Sequence, residues 1–263
     1  MFLEKFFKAQ KRYHHDGSRH SHPHPDNGGR GITTKKSGTR EIKVVRRVLD
    51  INDKMAEQNR SIFAAKGIFV LNVMSSPGSG KTTTLEKTLA QIASEIKSAV
   101  IVGDICTTND ADRLAVSGVP VIQINTDEFG GDCHLAAHVI EKAAGGLDLD
   151  DIDLLIVENV GNLVCPAEFD IGEDARAVVL SVTEGEDKPA KYPLMFRECE
   201  VALLNKVDLL PYLDYDKDKA LDYIHQVHPG MPIFEISAKT EEGFEPWLEW
   251  LISKVRQKAS LVK

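Results

Sequence analysis

Four cysteines in 263 residues, at positions 106, 133, 165 and 199, are too few for a disulfide framework, so they read as reduced thiols. No run approaches the roughly 20 apolar residues needed to cross a bilayer. The N-terminus MFLEKFFKAQKR interrupts its apolar stretch with charge, unlike a secretory signal. A cytoplasmic protein with no membrane span is expected. Block-like charge is missing too. The net charge of -8 divides into a basic part, residues 1–67 with 15 Lys+Arg against 7 Asp+Glu, and an acidic remainder with 17 against 33. The basic residues are interleaved with His, Gly, Pro and Asn, so no nucleic-acid partner is expected. No internal repeat is present. What remains, at 42% hydrophobic content, suffices for one sizeable globular domain.

Residues 13–40 are rich in Gly, Pro and Ser and nearly devoid of apolar side chains. They cannot bury enough surface to order themselves, and residues 1–40 are expected to form a disordered tail. The tail carries His14, His15, His20, His22 and His24. Residues 41–263 are assigned to one domain. Ile42, Val45, Leu49, Met55 and Ile62 recur at mostly helical spacing, with Gly67 as a C-cap. Apolar β-rich runs then follow at IFVLNVM, SAVIVGD, VPVIQIN, DLLIVE, AVVLSV, VALLNKVD and MPIFEIS, separated by helical or loop segments. This alternation predicts an α/β fold with a mostly parallel sheet covered on both faces. Phe244, Trp247, Leu248, Leu251 and Val255 share one face of a C-terminal helix that docks on the core.

The first strand runs into SSPGSGKTTTLEKTL, a glycine-rich turn that opens a helix. In this context a P-loop match carries weight: backbone N–H groups at Gly78, Ser79 and Gly80 can wrap phosphate oxygens at the positive end of the helix. Lys81 would reach the terminal phosphates, Thr82 would hold Mg2+, and Thr83 completes the cradle. Ser75 stands where the usual pattern begins with glycine. NKVD, residues 205–208, closes a buried strand at the edge where open α/β sheets bind ligands. A carboxylate there accepts both N1–H and the 2-amino group of guanine, so Asp208 selects GTP, with Asn205 beside it and Lys206 laying its stem along the base. Ser237 and Ala238 of ISAK would offer backbone contacts to the guanine oxygen, and Lys239 is counted with the nucleotide-binding residues.

Two further acids end strands: Asp104 in VIVGD and Glu158 in LLIVE. Both suit a Mg2+-nucleotide site, as ligands to the metal or its waters and as γ-phosphate sensors. With Lys81 they form the expected catalytic set; no general base is assigned, and slow hydrolysis is expected. Asp110 and Asp112 are open between a nucleotide-responsive loop and simple helix capping.

Three residues meet no requirement of nucleotide hydrolysis: Cys133 and His134 in GGDCHLAAH, and Cys165 in VENVGNLVCP. Thiolate and imidazole together favour Ni2+ or Zn2+ over Mg2+. Cys133 is placed at the start of the helix after the third strand. His138, four residues after His134 and so on one helical face, is a further candidate ligand. Cys165 lies seven residues past Glu158, on a segment that could respond to the γ-phosphate. Cys199 reads as core, and Cys106 as a minor candidate for the metal chemistry.

Together SSPGSGKTT, GDICTTNDADR, INTDEFGGDCHLAAH, ENVGNLVCP, NKVDLLPYL and ISAKTEEG resemble the nickel-insertion GTPases of hydrogenase maturation, HypB, over most of residues 41–260. The resemblance implies a P-loop GTPase of the signal-recognition/MinD class that forms homodimers and holds metal at Cys133, His134 and Cys165. It also implies nickel delivery to the hydrogenase large-subunit precursor with a partner metallochaperone, HypA. Some members bear an N-terminal Cys-x-x-Cys nickel site; no Cys precedes position 106 here, and the five tail histidines resemble the His-rich buffering tails of other members. Urease- or cobalamin-enzyme-maturation GTPases are rivals within the class. A nickel storage protein with a vestigial GTPase is a rival outside it.

Overall fold

In a computed structural model the described residues are 38–104, 109–125 and 134–262, with side chains described from residue 48 except at 104 and 109. Arg40–Lys263 forms one compact unit. The histidine-rich tail lies outside the described residues.

The elements run α1 (Gly38–Ala65), β1 (Phe69–Ser75), α2 (Lys81–Ile92), β2 (Ser98–Asp104), α3 (Asn109–Ala115), β3 (Val121–Asn125), α4 (Ala137–Ala144), β4 (Leu154–Gly161), β5 (Ala175–Ser181), α5 (Lys188–Lys191), α6 (Pro193–Glu198), β6 (Val201–Asn205), α7 (Lys217–Val227), β7 (Ile233–Glu235) and α8 (Phe244–Ser260). Among the described residues the strands form one seven-stranded sheet in the order β3-β2-β4-β1-β5-β6-β7. Every ladder in it is parallel, as the alternating pattern requires.

The strands are buried on both sides because alternate residues enter different core layers. Leu71, Val73, Val100, Val102, Leu154 and Ile156 pack in a layer with Leu85 and Leu89 of α2 and Trp247 and Leu251 of α8. Val70, Ala99, Ile101, Leu155 and Val157 pack on the other side with Phe63 of α1 and Ile140 of α4. A third cluster joins Val178, Leu180, Ala202 and Leu204 to Phe196 of α6 and Ile224 of α7. Trp247 donates its indole N–H to Thr88 Oγ1 at 3.0 Å, which locks α8 onto α2.

The face of α1 differs from the expected one. Ile51 and Ile62 are exposed and Met55 is half-buried, while Asn52, Ala56, Asn59 and Phe63 form the buried ridge. That spacing is helical, but two of its four members are amides, which a hydrophobicity pattern cannot register.

Candidate functional site

The loop from Ser75 to Gly80 joins β1 to α2, and no side chain caps the α2 N-terminus. Gly80 has φ 94°, and a Cβ there would lie 2.5 Å from Asn205 Nδ2. Only glycine fits both the left-handed backbone and that approach. The loop walls a cleft of about 550 Å³, bounded across it by Gly103, Asp110, Val160, Gly161 and Lys206. The first-turn N–H groups of a helix lack intrahelical partners, so the geometry suits an anion.

Period-two alternation aims Glu158 at this loop. It shares its side of β4 with Ile156, which packs in the α2 layer. The fully buried Glu158 accepts from Lys81 Nζ at 2.5 Å and Thr82 Oγ1 at 2.6 Å, both on Oε1. Oε2 is buried with no hydrogen-bond partner among the described residues. A hydroxyl and a carboxylate this close form a hard oxygen donor pair, which fits Mg2+. Glu158 lies inside β4 rather than beyond it, because the strand continues to Gly161. Asp104 is the last residue of β2. Asp110 is half-buried at the cleft wall, 3.7 Å from Arg113 Nη1, and Asp112 is exposed. Arg113, which ends the GDICTTNDADR segment but was given no role there, donates to Thr83 Oγ1 at 2.9 Å and lines the cleft.

The NKVD and ISAK segments do meet. Asn205 donates from Nδ2 to Ser79 O at 2.9 Å, and its Oδ1 accepts from Lys206 N at 2.7 Å and Ala238 N at 3.0 Å. This buried amide ties the loop of residues 75–80 to both the NKVD and ISAK segments. Lys206, in a left-handed conformation, donates Nζ to Gly78 O at 2.7 Å. Asp208 accepts from Ser237 Oγ at 2.7 Å, which fixes the carboxylate beside residues 237–239. One expectation shifts: the Ala238 N–H is committed to Asn205 instead of being offered to a base. Lys239 is exposed.

The soft donors are brought together less fully. Cys133 and Cys106 lie outside the described residues. Helix α4 starts at Ala137, so His134 precedes it and cannot share a helical face with His138, which is exposed. The expected His138 position is thereby corrected: the i, i+4 relation needs both residues in one helix. The His134 ring stacks on Phe169 with centroids 3.7 Å apart. Cys165, partly exposed, opens the 3-10 turn Cys165–Glu168 that leads to Phe169. Among the described residues no group of three or more His, Cys, Asp and Glu is placed to hold a metal. Cys199 is buried 3.8 Å from Met195 Sδ, and burial pushes its thiol well above the usual range, as a core residue requires.

A second set of buried polar groups was invisible to motif reading. Asn159, next to Glu158 but facing the opposite layer, donates to Asn72 Oδ1 at 3.1 Å, and Asn72 donates to Glu173 Oε1 at 3.2 Å. Arg176 pairs with Glu173 and donates to Ala167 O at 3.1 Å and Phe169 O at 3.3 Å. Burial raises the Glu173 carboxyl above the usual carboxylate range although the Arg176 guanidinium works to lower it. At Asp170 burial is outweighed by hydrogen bonds from Arg60 and Gly172 N–H, and its carboxyl sits below that range.

The family described as CobW/HypB/UreG, nucleotide-binding domain, matches residues 69–235. The chain is 53% identical over 215 residues to "Hydrogenase maturation factor HypB" of Escherichia coli (strain K12), spanning 82% of this chain and 73% of that relative. It is 40% identical over 222 residues to "Hydrogenase/urease maturation factor HypB" of Helicobacter pylori (strain J99), spanning 83% and 90%. Among solved structures, HypB from Helicobacter pylori in complex with nickel has a TM-score of 0.74 at 40% identity, covering 79% of this chain and 96% of that one. Hydrogenase maturation factor HypB from Archaeoglobus fulgidus has a TM-score of 0.73 at 37% identity, covering 79% and 100%.

Proposed function

The chain belongs to the CobW/HypB/UreG family and, within it, to the hydrogenase maturation factors HypB, and from that premise we propose that it is a GTP-hydrolysing nickel carrier whose hold on metal depends on its nucleotide. The observation that carries this reading is the Glu158 carboxylate: one oxygen serves Lys81 and Thr82 of the phosphate loop, and the strand bearing it ends four residues before Cys165.

Phosphate oxygens compete with Glu158 for the Lys81 ammonium, since both are anions seeking one compact cation. Nucleotide binding therefore changes the charge balance at Glu158 and, through the end of β4, the turn that begins at Cys165. Thr82, Glu158 and Asp104 would hold Mg2+, which supplies neutralisation of phosphate charge. Lys81 and the N–H groups of residues 78–83 orient the phosphates and oppose the charge that develops as water attacks in line. Positioning and charge neutralisation without a side-chain general base correspond to slow turnover. Asp208 chooses guanine, and Asn205 sets Asp208 and the phosphate loop in one frame.

Cys133, His134 and Cys165 hold the cargo metal, nickel or zinc, and GTP-dependent homodimerisation closes the site. Delivery runs to the hydrogenase large-subunit precursor together with a HypA-type metallochaperone. Residues 1–40 serve as a low-affinity nickel buffer, and residues 41–263 as the GTPase domain. Nickel and zinc titrations with GDP or a non-hydrolysable GTP analogue, on wild type and Cys165→Ala, test the reading. The expected result is a nucleotide-dependent metal affinity in wild type that Cys165→Ala abolishes; equal affinity in both nucleotide states overturns it.

A further inference from the structure

Helix α1 does more than cover the sheet. Asn52 Oδ1 accepts from Ala137 N at 3.0 Å, while its Nδ2 donates to Asp170 O at 2.7 Å. One pair of turns later, Asn59 Nδ2 donates to Ala137 O at 2.8 Å and to Ile171 O at 3.0 Å. Both polar groups of the Ala137 backbone are thus held by α1, and the same two amides hold the consecutive carbonyls of residues 170 and 171. Both side chains are buried, so these bonds form where water does not compete.

Two other contacts clamp the same loop. Arg60 makes a bidentate pair with Asp170, at 2.8 and 2.7 Å. Gly172 has φ 91°, and a Cβ there would meet Ala56 O and Asn59 Cβ at 2.6 Å each. The loop backbone is pressed against α1 as closely as glycine permits.

The two segments joined in this way are the ones that carry soft donors: His134 lies three residues before Ala137, and Cys165 five before Asp170. The two segments also touch directly, in the His134–Phe169 ring stack. We propose that Asn52 and Asn59 are positioning residues for cargo-metal binding, fixing the distance between the His134 and Cys165 segments from outside the site. Helix docking alone needs apolar burial, which Ala56 and Phe63 supply; it does not need two amides that each bridge one segment to the other. This inference rests on the reading of His134 and Cys165 as metal ligands. It adds that α1 sets their spacing, as groups behind a first ligand shell commonly do.

The test uses the full chain with GDP bound, titrated with nickel alone. The near-ultraviolet thiolate-to-nickel charge-transfer band is followed, because it reports the thiolate ligands and is silent to the tail imidazoles. Asn52→Ala and Asn59→Ala are measured singly, beside Cys165→Ala, with GDP affinity as the check on folding. In each clasp variant the band is expected to need on the order of 10–100-fold more nickel for half-saturation, with GDP affinity within about twofold of wild type. Wild-type nickel affinity in a clasp variant with lowered thermal stability overturns the proposal and leaves the amides as helix-docking groups. A band whose intensity and half-saturation are both unchanged in Cys165→Ala, where Cys133 is the one thiolate left of the two assigned, overturns the reading of Cys165 as a ligand, and the proposal falls with it. Should Asn59→Ala fail to fold, Asn52→Ala carries the test, supported by the rate at which a thiol reagent modifies Cys165. That rate rises if the clasp holds the turn and is unchanged if it does not.

Discussion

Glu158 concentrates the residue-scale argument. A buried carboxylate is costly unless paired, and here Lys81 and Thr82 share one of its oxygens. Glu158→Gln keeps the shape and an oxygen for one donor but removes the charge that balances Lys81. Single-turnover GTP hydrolysis is expected to fall on the order of 100-fold, the scale for losing one preorganised electrostatic group, while GDP affinity, titrated by fluorescence, stays within a few-fold. Unchanged hydrolysis would remove Glu158 from the catalytic set. At the base side, Asp208 is held by Ser237, so its acceptors are fixed before any base arrives. Asp208→Ala should cost about 2–3 kcal/mol of guanine preference, charged hydrogen bonds being worth about 1.5–3 kcal/mol each. The readout is competition between GTP and ATP, and an unaltered ratio would refute the role.

At the scale of elements, the loop that meets α1 gives a pH-dependent prediction. The Asp170 carboxyl is held below its ordinary value by the Arg60 and Gly172 hydrogen bonds despite burial. Its contribution to stability is therefore full above the ordinary carboxylate pKa of about 4 and is lost as pH falls through the lower folded value. Asp170→Asn should be about 1 kcal/mol less stable than wild type at pH 7, a figure kept small because the pair is a third exposed. In urea unfolding the gap should close as pH drops below about 4; a gap constant with pH would mean that the charge plays no part. Legibility in sequence also varied by element. The strands, the phosphate loop and α8 were readable because their signals are local: apolar alternation, glycine at forced dihedrals, and a continuous apolar face. The buried face of α1 was not, since Asn52 and Asn59 look like solvated surface until their carbonyl partners, about 80 to 120 residues away, are known. The start of α4 was placed too early, ahead of His134, for a related reason: its N-cap position is Ala136, which has no side chain able to cap, so the sequence has no start signal there.

For the whole molecule, Glu158 and Asn159 divide two tasks across the sheet. One faces the phosphate loop, while the other begins the buried run through Asn72 to Glu173 and Arg176, whose guanidinium holds the carbonyls of Ala167 and Phe169 beside the Cys165 turn. The phosphate loop and the Cys165 turn are thus joined by the end of β4 and by this second, side-chain connection. Coupling between two ligands is reciprocal: if the GTP analogue changes nickel affinity by some factor, nickel must change analogue affinity by the same factor. A factor of at least about 5, or roughly 1 kcal/mol, is expected for nickel bound at Cys165. Nickel on the tail histidines is expected to show no such dependence, since no residue of the nucleotide motifs lies in the tail sequence and a ligand shifts only an equilibrium whose states it binds differently. Calorimetry should accordingly resolve a nucleotide-sensitive class of nickel and an insensitive one, with Cys165→Ala removing only the first. Equal reciprocal factors identify the coupled class with the cargo site. If every nickel ion bound proves insensitive to nucleotide, the two sites are neighbours on one sheet and nothing more.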